Sequence, residues 1–352
     1  MVENEYLTVV VPAYNVERFL AQCIESLVHQ TVIKHKVIIV NDGATDSTGS
    51  IAKKYAEKYP TLIRYVEQNN KGLSAARNAG LALVDTPYVA FLDSDDWLMP
   101  NFVEVLDRRI HQYVEAPDLV YTLPVVYDMA SNRFEKWMDK EIFLQVFNER
   151  ECVINPQVKT IIYALEPNGC RKVYNVAFLK KMQFCFVEGT KWEDVEPHFQ
   201  LLHEARHIIG EEKTGFFYRI NSGNQITASG GWDRLQMISV FRRTLHRALN
   251  EEWESITVSY ILSMLLTFMK WSVDVSMKDV RIEFVEQMHS LFLEIPQCAL
   301  RNYYRDLKVW KRDRVYFWLV RSPFYRIVAN PLKYSQFKAR FYQLRRIVRR
   351  EV

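Results

Sequence analysis

The sequence predicts an α/β fold in which a parallel sheet is covered by helices on both faces. Four short, mainly apolar runs predict strands: the β-branched run 7–11 (LTVVV), followed by 36–40 (KVIIV), 62–66 (LIRYV) and 88–92 (YVAFL). Continuous apolar runs of this length are typical of strands that are buried on both faces. Segments with helical spacing separate the runs, and alternating strands and helices are typical of a doubly wound sheet.

Three helices are predicted between these strands. In residues 16–30 the apolar positions recur at helical spacing. A second helix begins near the segment TDSTGSIAKKYAEKY (45–59), where Asp46 and Ser47 are plausible caps. A third covers GLSAARNAGLAL (72–83).

Composition indicates a globular protein with a substantial core. The chain has 352 residues, 49% of them hydrophobic and 25% charged, which suits one large domain or two moderate ones. Its five cysteines are scattered and form no CxxC pair, so we expect reduced thiols in a cytosolic protein. The acidic N-terminus leads directly into a strand and does not resemble a signal peptide. The apolar segment 260–269 is expected to be too short to span a bilayer.

Charge is distributed unevenly along the chain. Residues 301–352 hold 15 Lys and Arg against 3 acids, a net charge of +12, so the first 300 residues carry −8. This asymmetry predicts two parts with different roles. We expect one domain over 1–232 and a mainly helical region over 233–352.

Three carboxylates follow the fourth predicted strand, in the segment YVAFLDSDDW (88–97). In open α/β sheets, ligands bind beyond the carboxyl ends of the strands. Asp93, Asp95 and Asp96 are clustered oxygen ligands of the kind that Mn²⁺ or Mg²⁺ prefers, and such ions often bridge to substrate phosphates. The alternative is that Asp93 and Asp96 cap a following helix while Asp95 is solvated.

Four motifs in order resemble family 2 glycosyltransferases, which have the Rossmann-like GT-A fold: VVVPAYNVERFL, VIIVNDGATDST, NKGLSAARNAGL and FLDSDD. The resemblance is close over residues 6–110 and looser to about 228. It implies that Asp95 binds the metal and that Asp93 reaches the metal or the ribose. It also implies a nucleotide-binding role for a set of residues near the strand ends: Pro12, Ala13, Tyr14, Glu17, Asp42, Lys71, Arg77 and Ser94.

Within that set, the resemblance gives several residues more specific roles. Asp42 would accept a hydrogen bond from uracil, and Tyr14 would lie beside the base with Pro12 and Ala13. Arg77 would lie near the base or the diphosphate. For Glu17, a carboxylate at a helix N-terminus is an equally good interpretation.

A later acidic pair is the candidate catalytic base. Sugar transfer with inversion needs a group that takes the proton of the acceptor hydroxyl. In the segment GTKWEDVEPHF (189–199) the resemblance favours Asp194 as the base, with Glu193 beside it in contact with the acceptor. The alternative is that both acids only open a helix. Trp192 could stack on a sugar ring or fill the core.

Two further residues are candidates for contacts with the donor or the metal. Arg219, in FFYRINSGNQIT (216–227), could counter the diphosphate charge from a loop that closes over the donor. His198 could lie near the metal, although a structural role is also open.

The predicted activity is metal-dependent, inverting transfer of a sugar from a nucleotide diphosphate sugar, expected to be a UDP-sugar. The acceptor would be a glycan, a lipid-linked molecule or a polymer of the cell wall or capsule. A non-catalytic nucleotide-sugar-binding or scaffold protein is the alternative. The segment HEARH (203–207) also fits the HExxH pattern of zinc metalloproteases, but helical spacing places both histidines on a solvent face.

The basic tail suggests where such an enzyme would work. Phe337, Phe341, Leu344, Val348 and Val352 follow helical spacing among arginines. A basic amphipathic helix with aromatic residues suits an anionic membrane surface, so we expect peripheral attachment at the inner face of the cell membrane through 301–352. Two alternatives are a helical subdomain with a solvated basic face and a binding surface for an anionic polymer. No nucleic-acid recognition motif accompanies the charge.

Overall fold

The chain divides into two compact units, Met1–Gln225 and Ile226–Val352. The predicted boundary after residue 232 therefore lies seven residues beyond the observed division. The computed structural model describes residues 5–147, 155, 160–223, 230–309, 311–330 and 333–337.

The first unit contains all the described strands: β1 (Leu7–Ala13), β2 (His35–Asn41), β3 (Ile63–Glu67), β4 (Tyr88–Phe91), β5 (Trp97–Leu98), β6 (Leu119–Thr122), β7 (Val125–Asp128), β8 (Arg133–Lys136), β9 (Lys172–Asn175), β10 (Ile208–Glu211) and β11 (Phe216–Ile220). Its helices are α1 (Leu20–Val28), α2 (Thr48–Lys58), α3 (Leu73–Leu81), α4 (Phe102–Ile110), α5 (Lys140–Val146), α6 (Val176–Lys181) and α7 (Val195–Glu204). Short 3₁₀ helices cover Thr160–Ala164 and Gly169–Arg171.

Across the described residues, seven strands form the main sheet in the order β10-β6-β9-β4-β1-β2-β3. The four predicted strands are β3, β2, β1 and β4, and they pair in parallel, as the apolar runs predict. Every residue of β1 is buried. β9 runs antiparallel to both β4 and β6, so the sheet as a whole is mixed.

Helix α3 packs closely against strand β1 at the centre of this sheet. A methyl group added at Gly80 would come within 2.3 Å of a Val10 side-chain carbon, so only glycine fits there. Because α3 also carries Arg77, this close contact brings Arg77 down toward the carboxyl ends of β1 and β4.

A second sheet follows the acidic segment. Its strand order is β5-β11-β7-β8, and β5 begins at Trp97, directly after Asp96. The alternative in which Asp93 and Asp96 cap a helix is therefore wrong. The next helix, α4, begins at Phe102 after Asn101.

The second unit is helical over its described residues. Its helices are α8 (Gln236–Asn250), α9 (Ser255–Val275), α10 (Lys278–Glu294), α11 (Gln297–Asp306) and α12 (Lys311–Arg321), with 3₁₀ helices at Trp232–Leu235 and Tyr325–Ala329. In this part of the chain α9 packs against α8, α10 and α11.

The apolar segment 260–269 belongs to a longer helix than expected. In the described part of the chain, α9 is the one helix whose 21 residues are long and apolar enough to cross a membrane by length and composition. More than half of its most apolar window is buried within the structure. A core helix of a soluble protein has the same properties, so α9 is weak evidence for a membrane span.

The first part of the basic tail contributes to the core of the second unit. Tyr303, Tyr316 and Phe317 are buried, and the ring of Phe317 contacts Phe292 of α10 at 4.9 Å between centroids. The described residues between 301 and 337 therefore belong to a packed helical subdomain, which was one of the alternatives. The predicted basic amphipathic helix beyond Phe337 lies outside the described residues.

Candidate active site

The loop after β2 is organised by Asp42. Its carboxylate accepts hydrogen bonds from Gln68 Nε2 (2.7 Å) and from the backbone N–H groups of Lys71 (2.9 Å) and Gly72 (2.8 Å). Asp42 thereby holds the 68–72 loop against the end of β2. A carboxylate offers about four acceptor positions, so one remains for a ligand.

The turn after β1 is joined to the start of α2 by side chains. Glu17 Oε2 accepts from the Ser47 N–H (2.9 Å), and Asp46 Oδ2 accepts from the Glu17 N–H (3.1 Å). Asp46 Oδ1 also accepts from the Thr48 N–H (2.9 Å) at the first turn of α2, whereas Ser47, which occupies the N-cap position, makes no side-chain cap hydrogen bond. The Glu17 carboxylate therefore contacts the N-terminus of α2, which favours a structural role over a nucleotide contact.

Beside this turn, Tyr14 is 46% exposed, while Pro12 and Ala13 are buried at the end of β1. An exposed aromatic ring above a buried strand end could stack on a nucleobase. Lys71 is exposed. Ser94 is buried between Asp93 and Asp95, and these three residues (93–95) form the DSD motif.

The acids after β4 are crowded. Burial, and then the charge of Asp93, raises the pKa of Asp95 to about 6. The pKa of Asp96 is also raised by burial and by the charges of Asp95 and Asp93. Asp96 Oδ1 accepts from the Arg219 N–H at 2.8 Å, whereas its buried Oδ2 has no hydrogen-bond partner among the described residues.

Arg219 holds this acidic segment in place. Its Nε donates to the Asp95 carbonyl oxygen (2.7 Å), and its Nη2 donates to Gln22 Oε1 on α1 (2.7 Å). The guanidinium also lies 4.7 Å from the ring centroids of Phe19 and Trp97. Arg219 is buried on strand β11 and not on an open loop, so these contacts favour a role in positioning the DSD segment over a direct diphosphate contact.

Arg77 joins the DSD motif to the later acidic pair. Its Nη2 donates to Asp93 Oδ1 (2.9 Å), and its Nη1 donates to Glu193 Oε1 (2.9 Å) and Asp194 Oδ1 (3.1 Å). The side chain is 1% exposed. Burial alone would lower the pKa of Arg77, but the charges of Asp194, Asp93 and Glu193 raise it. Arg77 is therefore buried and bonded to the three carboxylates. These contacts differ from the predicted contact with the base or the diphosphate.

The acidic pair does not act as a simple helix cap. Asp194 occupies the N-cap position of α7, but its carboxylate accepts no hydrogen bond from the helix backbone and bonds to Arg77 instead. Burial and the charge of Asp194 raise the pKa of Glu193 to about 7. Trp192, just before the pair, has a left-handed backbone (φ 65°), a strain of about 1–3 kcal/mol of the kind that concentrates at functional sites.

His198 has the surroundings of a structural histidine. Its ring is fully buried, and Nε2 lies 3.3 Å from the Tyr163 carbonyl oxygen. Burial, and then the charges of Lys172 and Arg171, lowers its pKa well below the usual range. No described hydrogen bond or ion pair joins this ring to Asp93 or Asp95, so the predicted metal contact of His198 gains no support.

The HExxH segment does not form a zinc site. Helix α7 ends at Glu204, so His203 and His207 are not on successive turns of one helix. His207 lies in the loop before β10, where Nδ1 is 2.9 Å from Glu115 Oε2 and its N–H donates to Asp118. The structure gives the metalloprotease interpretation no basis.

A turn that the motifs did not indicate borders the acidic pair. A methyl group added at Gly169 would come 2.7 Å from Asp194 Oδ1. The nearby Lys172 is fully buried, and burial lowers its pKa to about 7. An isolated glycine just before a strand was the available signal for a close backbone approach.

The acids fit a divalent cation, provided that a substrate supplies further ligands. Among the described residues no three His, Cys, Asp or Glu side chains are arranged to hold a metal by themselves. Asp95 and Asp96 nevertheless carry raised pKa values, and Asp96 has an unpartnered oxygen. Crowded, poorly compensated carboxylates of this kind would be stabilised by a hard cation that also binds phosphate oxygens.

Comparisons with known proteins agree with this geometry. The model of glycosyl transferase family 2 matches residues 8–166. The glycosyltransferase GlyG of Streptococcus pneumoniae is 32% identical over 232 residues, which cover 63% of this chain and 73% of GlyG. GlyA of the same species is 44% identical over 113 residues, and the minor teichoic acid biosynthesis protein GgaB of Bacillus subtilis is 36% identical over 126. These two matches cover 32% and 35% of this chain, but only 16% of GlyA and 14% of GgaB.

Solved structures show the same fold. Residues 1–349 of S. aureus TarS in complex with UDP-GlcNAc superpose with a TM-score of 0.70 at 18% identity, covering 94% of this chain and 92% of that one. The mannosyltransferase PcManGT of Pyrobaculum calidifontis, in complex with GDP-Man and Mn²⁺, gives 0.52 at 15% identity, covering 93% and 86%. At these identities the likeness concerns the fold, which is of the GT-A type with a helical C-terminal region. The GlyG match, with the family model over residues 8–166, establishes that the chain belongs to glycosyl transferase family 2.

Proposed function

We propose that this glycosyltransferase transfers a sugar from a UDP-sugar to an acceptor hydroxyl with inversion, and that Asp194 is the general base. The observation that carries the proposal is the hydrogen bonding of buried Arg77 to Asp93, Glu193 and Asp194. The Arg77 guanidinium holds the DSD motif and the candidate base together. The donor sugar and the acceptor hydroxyl would therefore meet at one point.

The donor would bind along the carboxyl ends of β1, β2 and β4. The exposed Tyr14 ring is available to stack on the base, and Asp42 keeps one acceptor position for a ring N–H. The TarS complex with UDP-GlcNAc supports a nucleotide-sugar donor in this fold, and the uracil contact inferred for Asp42 favours UDP.

The proton of the acceptor hydroxyl would pass to Asp194. Oδ1 of this carboxylate is bonded to Arg77, which leaves Oδ2 available within the described contacts. As Oδ2 takes the proton, the acceptor oxygen bonds to the anomeric carbon and the bond from that carbon to the diphosphate breaks. A single displacement inverts the configuration at that carbon.

A divalent cation would be held by Asp95 and Asp93. When bound, Mn²⁺ or Mg²⁺ would stabilise the negative charge of the departing diphosphate. Arg219 and the backbone of β11 keep the acidic segment in place for this contact.

The acceptor would be a glycan, a lipid-linked molecule or a polymer. The name of GgaB supports a wall polymer, and the match to GgaB covers 35% of this chain and 14% of GgaB. Residues 338–352 hold six basic residues and one acid, so attachment to an anionic membrane near a lipid-linked acceptor remains part of the proposal.

The first experiment incubates the chain with a panel of UDP-sugars and Mn²⁺ and measures UDP release. Asp194→Asn keeps the shape of the side chain but cannot take the proton, so we expect UDP affinity within about twofold of wild type and turnover reduced on the order of 10²-fold or more. Asp118→Asn is the control, because Asp118 accepts backbone hydrogen bonds away from the acids.

Three outcomes would count against the proposal. Absence of UDP release with every donor, together with normal UDP binding, would favour the non-catalytic scaffold. Normal turnover of Asp194→Asn would remove Asp194 as the base. Full activity in EDTA would show that the reaction does not need a divalent cation.

A further inference from the structure

The turn before β9 is fixed by side chains at each of its positions. Asn168 Oδ1 accepts from the N–H groups of Cys170 (2.8 Å) and Arg171 (3.2 Å). Lys172 Nζ donates to the Asn168 carbonyl oxygen (2.7 Å), and Tyr174 Oη donates to the Gly169 carbonyl oxygen (2.8 Å). Two successive carbonyl groups are therefore held from within the core.

This turn lies directly against the candidate base. A methyl group at Gly169 would be 2.7 Å from Asp194 Oδ1 and 3.7 Å from Arg77 Nη1. The Gly169 backbone is not among those with positive φ, so its conformation does not demand glycine. A side chain here would press on the end of the Asp194 carboxylate, which Arg77 holds by a hydrogen bond of 3.1 Å, so the turn and the carboxylate share one small space.

Holding this turn with a buried lysine, Lys172, carries a free-energy cost. Its side chain is 2% exposed, and taking an ammonium group out of water is unfavourable unless it is well paired. Its hydrogen bond goes to the carbonyl group of Asn168, next to the glycine that faces Asp194. An apolar side chain could fill the same space but could not hold that carbonyl group.

We propose that Asn168, Gly169 and Lys172 are positioning residues that fix where the Asp194 carboxylate lies relative to the acceptor hydroxyl. This inference rests on the proposed role of Asp194. It predicts loss of turnover without loss of donor binding, because the turn contacts neither Asp42 nor Tyr14 in the described structure. A misplacement of about 1 Å can lower the rate on the order of 10²-fold.

The chain offers a matched control at the other end of β9. Asn175 Oδ1 accepts from the N–H groups of Ala177 (2.9 Å) and Phe178 (3.2 Å), so Asn175→Ala removes two hydrogen bonds of nearly the same lengths as Asn168→Ala. We expect similar losses of thermal stability for both variants. We expect kcat to fall about tenfold or more for Asn168→Ala alone, with UDP affinity within about twofold of wild type.

Two further variants sharpen the test. Asn168→Asp keeps an acceptor oxygen for both N–H groups and should restore most of kcat at the plateau of its pH profile. Asn168→Ala should add no further loss in the Asp194→Asn background, because its effect passes through Asp194.

The failures are distinguishable. If Asp194→Asn retains turnover, the proposed function fails and this inference fails with it. If Asp194→Asn is inactive but Asn168→Ala turns over as fast as Asn175→Ala, only the positioning role is overturned. A loss of kcat in Asn168→Asp as large as that in Asn168→Ala would also overturn it.

Discussion

Lys172 is a buried residue of the first unit whose protonation is coupled to folding. Burial lowers its pKa from an ordinary 10.5 to about 7, although the charge of Asp194 opposes that shift. Between pH 7 and pH 10 the unfolded chain therefore binds a proton that the folded chain does not. Stability from this group increases with pH through that window and is lost as pH falls toward 7.

Lys172→Met should remove this dependence while filling similar space. Each pH unit within the window changes the free energy of unfolding by up to about 1.4 kcal/mol, and about 1 kcal/mol shifts the Tm of a unit of this size by about 2–4 °C. We expect the Tm of wild type, relative to Lys172→Met, to rise by several degrees between pH 7.5 and pH 9.5. Thermal unfolding at both pH values checks this, and parallel Tm profiles for the two proteins would contradict it.

At the scale of elements, the DSD segment is positioned by three parts of the chain. Strand β11 contributes Arg219, helix α1 contributes Gln22, and the short strand β5 follows the acids. Gln22 is itself exposed, so it can be changed with little effect on the core. Substitution of Gln22 therefore tests whether Arg219 acts by positioning the DSD segment.

Gln22→Ala frees one end of the Arg219 guanidinium. A hydrogen bond to a charged group contributes about 1.5–3 kcal/mol. Only part of that energy is passed on to the ligand site as the acidic segment loosens, so we expect Mn²⁺-dependent UDP binding to weaken about 2-fold to 10-fold. Gln22→Glu keeps the acceptor oxygen and should bind UDP as wild type does. Calorimetry in the presence of Mn²⁺ gives both affinities. Tighter UDP binding by Gln22→Ala would instead indicate that Arg219 reaches the diphosphate once released.

Sequence patterns predicted the elements better than the contacts between them. The first four strands were predictable because continuous apolar runs at regular spacing identify a parallel sheet. The antiparallel β9 and the second sheet were not, because their pairing depends on tertiary packing. Arg77 and the acids were each identified, but their hydrogen bonds link residues 16 to 117 positions apart, which no local pattern encodes. Gly169 was missed because a lone glycine does not reveal what lies against it.

At the scale of the whole molecule, the described structure changes how the tail should be tested. A cut after residue 300 would divide α11 and remove Phe317 and Tyr303 from the core of the second unit. Such a truncation would confuse unfolding with loss of membrane contact. A cut after Phe337 keeps every described residue and removes the last fifteen, six of them basic.

The 1–337 truncation should retain UDP release and lose binding to anionic vesicles. Each Lys or Arg near such a surface contributes about 1 kcal/mol, and the attraction should weaken as salt is added. Co-sedimentation with vesicles of neutral or anionic lipid checks this for both proteins. A full-length variant with Arg340, Arg345, Arg346, Arg349 and Arg350 changed to Gln is the control that alters charge alone. Equal sedimentation of full-length and truncated chains would contradict a membrane role for the tail.

Arg77 also limits how this sequence can change over evolutionary time. Removing one member of a buried ion pair costs about 3–5 kcal/mol, a large part of the 5–15 kcal/mol that typically stabilises a protein. Positions 77, 93, 193 and 194 are therefore expected to be substituted together, or to be kept together. A homologous chain with an apolar residue at position 77 should also have exchanged the acids. Its sequence would then identify it as a protein that has kept the fold and lost the activity.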